Sequence, residues 1–304
     1  MVNGCDDAIV ELMLEDSKRY TSLVAIAAAC ATALITIIVM YLVQRSDAAA
    51  YGASVSAAPP FTDSCNVLNL QLHGMIVGTR SDVFVSDIIS SSDGSGMLLT
   101  PNYTVASDIT YALDMVKTSP NIKAILVDIN SSGGSAAAGE EIALALRNAG
   151  IPTIAVIHDM SLSAAYLAAA ATNKVYAREM STIGSIGITV SYVSQYEKDK
   201  KEGYTYEQLS SGPYKDMFSP DRKMTDAERM LIERDLKISH EAFVHYVSQF
   251  RNMPLEAVEA LADGSSVMGK QALESKLVDS LGGRDEALTY LESTIGTSIE
   301  PCYY

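Results

Sequence analysis

Two residues of this chain, Ser163 and Lys215, stand in surroundings that suit covalent chemistry. A serine hydroxyl attacks a carbonyl only when a base takes its proton and donors receive the charge that develops on the carbonyl oxygen. Ser163 opens the run Ser163-Ala164-Ala165-Tyr166, which continues in small residues to Ala171 and reads as a helix beginning at the serine. There the helix dipole favours developing negative charge, and the alanines leave room for a substrate backbone. An ordinary N-cap is the commoner use of a serine at such a place, and the run alone leaves both readings open. Asn130-Ser131-Ser132-Gly133-Gly134 follows an apolar strand pattern and precedes a helical one. Its glycines can turn sharply and present backbone N–H groups to an oxyanion, although such a segment is often only a turn.

The base is the harder part. His73 falls in the first strand pattern, His240 and His245 on a late helix, and His158 shortly before Ser163, none of which suits the usual triad. A lysine can replace histidine where burial and local hydrogen bonds favour the free amine. Lys215 is the candidate: it sits in Ser210-Ser211-Gly212-Pro213-Tyr214-Lys215-Asp216, a constrained loop rather than a charged surface run. A solvated surface lysine is the plainer alternative.

These residues need a scaffold, and the pattern supplies one. Residues 67–77, 124–129 and 153–157 read as strands. Residues 103–117 and 136–148 have helical spacing, the second closed by Gly150, and residues 158–162 connect the last strand to Ser163. A Ser/Gly-rich loop is expected at 81–101. A long amphipathic helix follows at 225–250, with shorter ones at 254–262 and 270–274. Alternating apolar strands and helices predict an α/β class with parallel βαβ units.

Residues 20–43 form an uncharged apolar stretch long enough to span a bilayer. Asp6, Asp7, Glu11, Glu15 and Asp16 precede it, unlike the basic start of a cleaved signal peptide, so an uncleaved anchor is expected. The expected organisation is a short N-terminal tail at 1–19, the transmembrane anchor at 20–43, a flexible linker at 44–64, a catalytic domain at 65–292 and a C-terminal tail at 293–304. A slight basic bias favours a cytoplasmic N-terminus, which puts the domain outside the cytoplasm and the chain at the cell membrane as a single-pass protein. The formal charge of −15 argues against nucleic acid as a partner. Cys5, Cys30, Cys65 and Cys302 form no paired motif for zinc, so no metal or other cofactor is expected. Cys65 and Cys302 flank the domain and could pair in an oxidising compartment; the sequence leaves that open.

Together these segments resemble the Ser/Lys peptidase family of bacterial signal peptide peptidase A. Residues 130–134 resemble its Asn-Ser-Pro-Gly-Gly, Ser163-Ala164-Ala165-Tyr166 its Ser-Gly-Ala/Gly-Tyr, and Gly184-Ser185-Ile186-Gly187 its Gly-Ser-Ile-Gly. Residues 211–216 match its Ser-Gly-x-x-Lys-Asp. Ala262-Asp263-Gly264, Gly269-Lys270-Gln271-Ala272-Leu273 and Leu277-Val278-Asp279 through Gly282-Gly283 resemble its closing segment. The resemblance covers residues 66–291 and implies Ser163 as nucleophile, Lys215 as general base, Ser185 as the hydroxyl that orients the lysine, and the backbone of Gly133 and Gly134 as oxyanion hole. It further implies a ClpP/crotonase-like fold of repeated β-β-α units around a parallel sheet. Also implied are a homo-oligomer whose serine and lysine can come from neighbouring subunits, and hydrophobic peptide substrates such as cleaved signal peptides. Ser132 replaces the usual proline and Ala164 a frequent glycine; neither removes a reacting group. One copy of the motif set matches the short bacterial form. An acyl-CoA hydratase or isomerase on the same fold, and a membrane scaffold without catalysis, are the competing readings.

Overall fold

In a computed structural model the described residues are 65–82 and 103–304. The expected membrane span, the linker and most of the Ser/Gly-rich loop lie outside them. Among the described residues no helix is long and apolar enough to cross a membrane.

Three long strands, β1 (Val67–Val77), β3 (Ala124–Gly134) and β4 (Thr153–Leu162), run parallel through the middle of the sheet. A short β2 (Tyr103–Val105) and helix α1 (Ala106–Lys117) precede β3, and α2 (Ala136–Arg147) joins β3 to β4. Side chains alternate between the two faces along each strand. Leu68, Leu70, Leu72, Ile125, Val127 and Ile129 are buried on one face. Val67, Ala124, Leu126, Ile154 and Val156 are buried on the other, under Ala287 and Leu291 of helix α8 (Arg284–Ile295). Burial on both faces is why residues 124–129 read as an almost unbroken apolar run.

Asp128 breaks that run and is 8% exposed. A buried carboxylate needs partners, and three converge on it. Arg284 Nη1 lies 3.2 Å from Oδ2, while His158 Nε2 and His73 Nε2 lie 2.6 and 3.2 Å from Oδ1. His158 is thereby committed to Asp128 on the α8 side of the sheet.

Two of the three long strands, β1 and β4, change partners midway, while β3 keeps β1 and β4 as its neighbours. Register shifts fall between His73 and Met75 on β1 and between Ile129 and Ser131 on β3. Beyond Ile157, β4 leaves β5 (Lys174–Ala177) and pairs instead with β6 (Thr182–Gly184). β1 likewise takes β9 (Pro301–Tyr303) along its first residues and β2 along its last. The segments expected as a loop at 130–134 and a connector at 158–162 are therefore strand. The ladder runs through them because glycine admits a very close backbone: a Cβ on Gly134 would lie 2.1 Å from the carbonyl oxygen of Ile76. Each expected β-β-α unit appears as one bent strand followed by a helix, in an α/β sheet that is parallel apart from the β6–β7 pair, β7 being Ser266–Met268.

After β4 come α3 (Ala164–Ala170), α4 (Tyr196–Glu202) and the long α5 (Asp226–Arg251), followed by α6 (Leu255–Glu259) and α7 (Gly269–Glu274). The strand β8 (Ser280–Leu281) pairs with β5. The expected tail at 293–304 completes α8 and supplies β9, where Cys302 is bonded to Cys65 across a separation of 237 residues. That bond ties the first strand to the last. Cys302→Ser, or reduction of the wild type, is expected to lower the unfolding free energy by about 2–4 kcal/mol, read from urea unfolding with and without reductant. Superimposable curves would mean that the crosslink contributes nothing.

Candidate active site

Ser163 stands at the junction of β4 and α3 with φ 51° and ψ −123°. A positive φ at a residue other than glycine costs on the order of 1–3 kcal/mol and persists only where the surroundings fix it. Here the Ser163 N–H donates to Gly184 O at 2.8 Å, and the Ser163 carbonyl accepts from Leu167 N–H at 3.0 Å. Gly133, itself at φ 92°, presses against the turn: a Cβ there would lie 2.6 Å from Leu162 O and 2.9 Å from Ser163 Cβ. The side chain of Ser163 makes no capping hydrogen bond to α3. Ser135 shows the contrast, since it begins α2 with extended backbone and its Oγ accepts from Ala138 N–H at 3.3 Å. Ser163 is not an ordinary N-cap.

Two cavities meet at Ser163. The larger, about 830 Å³, is bordered by Ser132, Gly134, Ser185, Lys237 and His240. The smaller, about 350 Å³, lies between α2, α3 and α5. Ser185 shares the positive φ of Ser163, at 50°; its N–H donates to Ser265 O at 2.9 Å and its Oγ to Gly264 O at 3.1 Å. Gly133 N–H donates to Ser131 Oγ at 3.1 Å, so of the two expected oxyanion donors Gly134 is the one that borders the larger cavity. Ser163, Ser185 and the paired glycines are thus brought together.

Lys215 is not. It lies in an exposed turn at residues 211–218 and borders neither cavity. The turn itself is clamped through the next residue. The Asp216 carboxylate accepts from Tyr206 OH at 2.6 Å and Arg222 Nε at 3.1 Å, and Arg222 Nη2 donates to the Asp216 carbonyl at 2.7 Å. The Tyr206 hydrogen bond, with the Arg222 guanidinium, holds the Asp216 carboxyl below the usual range. Arg222 also pairs with Glu228, which is buried and closes a capping box with Thr225 at the start of α5. The Asp after the lysine therefore anchors its loop to a helix.

Tyr166 explains another shared motif. It is fully buried, burial raises its phenol well above the ordinary value, and its hydroxyl donates to Leu277 O at 2.9 Å. Asp279 then accepts from Val175 N–H at 2.7 Å and from Arg251 Nη2 at 2.8 Å. The closing segment thus braces the helix that Ser163 begins. Lys237 and His240, which border the larger cavity, carried no signal in the sequence beyond their place on a long helix. Periodicity does not say against which neighbour a helix packs, and His240 Nε2 lies 2.9 Å from Ala262 O.

Comparison with known proteins adds to this geometry. Residues 145–297 match peptidase family S49. The chain is 31% identical over 211 residues to the putative signal peptide peptidase SppA of Enterococcus faecium, covering 68% of this chain and 61% of that protein. It is 29% identical over 205 residues to the chloroplastic serine protease SPPA of Arabidopsis thaliana, covering 66% of this chain and 30% of that one. The chain therefore spans 61% or less of the length of these curated relatives. A ClpP1 mutant from Listeria monocytogenes superposes with a TM-score of 0.44 at 13% identity, over 72% of this chain and 92% of that one.

The clamp on the lysine loop has a pH signature. Hydrogen bonds from Arg222 and from the Thr225 backbone push the Glu228 carboxyl from 4.5 down to about 2. Stability from a carboxylate lowered in this way is present in full above its unfolded value and is lost as pH falls through the folded one. Glu228→Gln is expected to cost roughly 2–3 kcal/mol at neutral pH. The gap between the two proteins should then shrink as pH falls from about 4.5 toward about 2, measured by denaturant titration at each pH. A gap independent of pH would contradict this assignment.

Proposed function

The chain belongs to peptidase family S49, and on that premise we propose that it is a membrane-anchored serine endopeptidase in which Ser163 attacks the scissile carbonyl and Lys215 is the base. The observation that carries this reading is the turn at Ser163. It is strained and uncapped, and it stands between a cavity edged by Gly134 and Ser185 and a second, apolar one. Strain of this kind is commonly stored at reacting groups.

In the proposed reaction Ser163 Oγ bonds to the carbonyl carbon as its proton passes to the lysine amine, and Gly134 N–H receives the oxyanion. The protonated amine then gives its proton to the leaving nitrogen as the peptide bond breaks. Water, deprotonated by the same amine, attacks the acyl carbon, and the amine returns that proton to Ser163 Oγ as the ester bond breaks. Ser185, whose Oγ donates to Gly264 O, is in this reading the hydroxyl that orients the amine.

The lysine is supplied by a second copy in this reading. Lys215 lines neither cavity at Ser163 in its own chain, and the segment around it exposes Val193, Tyr204 and Leu209 at 81%, 70% and 97%. Apolar exposure on this scale marks an interaction surface, and burial beneath a neighbouring subunit is what favours a neutral amine. A homo-oligomer with shared sites fits both facts. The fold is read as the ClpP/crotonase kind, with its bent strands as the β-β pairs. The disulfide between Cys65 and Cys302 supports an oxidising, extracytoplasmic location for the domain. Residues 20–43 serve as its anchor. Substrates are hydrophobic peptides presented at the membrane, such as signal peptides left after export.

Ser163→Ala and Lys215→Ala should each reduce cleavage of a fluorogenic hydrophobic peptide by roughly a thousandfold or more. Co-expressed in equal amounts, the two inactive chains should recover about a quarter of wild-type activity, because a heterologous interface pairs an intact serine with an intact neighbouring lysine in that share of sites. No recovery in mixed oligomers would rule out a shared site, and activity surviving either single substitution would rule out the pair.

A further inference from the structure

The smaller cavity at Ser163 holds one acidic side chain among apolar walls. Ala137, Leu167, Ile188 and Phe243 line it from α2, α3, the segment after β6, and α5, and among the described residues Glu140 is its only charged lining residue. Glu140 projects from the second turn of α2, and the Tyr246 hydroxyl from α5 donates to its Oε1 at 2.6 Å. Among the described residues no cation pairs with Glu140. The phenol of Tyr246 is held above its ordinary value, first by that hydrogen bond and then by burial. A phenol satisfies only part of a carboxylate, which has room for several donors. A cavity walled by apolar groups strengthens the field of the charge that remains.

We propose that this cavity receives the substrate side chain immediately before the scissile bond, and that Glu140 makes it selective for lysine or arginine. The apolar walls suit the methylene stem of such a side chain, and the carboxylate supplies the partner for its cationic end. An acidic side chain would meet like charge in the same space and is excluded. The inference rests on Ser163 as nucleophile, because only then does a cavity bordering Ser163 hold the residue whose carbonyl is attacked. It also fixes where a hydrophobic substrate is cut: directly after a basic residue, as where the basic start of a signal peptide meets its apolar stretch.

The test uses the full chain in detergent and three fluorogenic peptides that differ only in the residue before the scissile bond: lysine, norleucine or glutamate. Norleucine keeps the unbranched apolar stem and lacks the charge. Wild type is expected to cleave the lysine peptide about tenfold or more faster than the norleucine peptide in kcat/KM, with the glutamate peptide slowest. In Glu140→Gln the lysine-to-norleucine ratio should fall toward one. In Glu140→Lys the glutamate peptide should overtake the lysine peptide. Thermal unfolding of both variants establishes that they are folded. Ser163-dependent cleavage with a wild-type ratio near or below one, or a ratio unchanged in folded Glu140→Gln, would overturn the pocket while leaving the nucleophile in place. Cleavage of all three peptides that persists in Ser163→Ala, or no cleavage by wild type, would overturn both.

Discussion

The close approach of three backbones around Ser163 is the constraint on which the rest of the structure depends. Gly133 and Gly134 end β3 where no side chain fits, and Gly139 lets α2 lie against α3, since a Cβ there would come within 2.7 Å of Ala164 Cβ. These contacts hold the turn between β4 and α3 in a conformation that serine does not adopt by itself. Every residue of α3 is buried, so the apolar surface behind Ser163 offsets the strain in front of it. The register shifts in β1 and β3 bring the strand ends to this point, and the change of partner along β4 places Gly184 where it can accept the Ser163 N–H.

Around that centre the molecule separates support from chemistry. Tyr166, Leu277, Asp279 and Arg251 brace α3 from behind. The disulfide and β9 close the opposite edge of the sheet. Asp128 gathers His73, His158 and Arg284 on the far face and takes two of the four histidines away from any reaction at Ser163. Among the described residues, Glu140 is the one charged group lining the smaller cavity, and Lys215 lines neither cavity. This is why the smaller cavity's single carboxylate stands out and why the base is sought on a second copy.

Much of this was legible in the residues. The apolar run 124–129, the helix pattern at 136–148 and the long helix at 225–250 follow from periodicity; both helices are present within a residue of their expected bounds, and the strand begins at Ala124 as expected but runs five residues further, to Gly134. The strand continuing through 130–134 was hidden because Ser-Ser-Gly-Gly reads locally as a turn; pairing with β1 at His73, Met75 and Ile76 and with β4 at Ser161 makes it strand. The positions of Ser163, Ser185 and the paired glycines in one site came from motifs whose meaning lies in resemblance, since nothing in their spacing measures distance. Lys237, His240 and Glu140 could not be found in the same way. They reach the site through the packing of α5 and α2 against α3, and amphipathic spacing identifies a buried face without naming its neighbour. Lys215 shows the opposite limit: the sequence marks its loop as constrained, and Asp216, Arg222 and Glu228 show how, yet the amine itself faces solvent in a single chain.

The most direct test of Ser163 as the reacting group is covalent trapping. The full chain would be incubated with a hydrophobic peptide bearing a phosphonate ester that reacts with activated serines, then digested and mapped by tandem mass spectrometry. A single adduct on the Ser163 hydroxyl, formed at a rate matching the loss of peptide cleavage, is the predicted result. An adduct on a different residue, or complete loss of cleavage with Ser163 unmodified, would contradict the account at its centre.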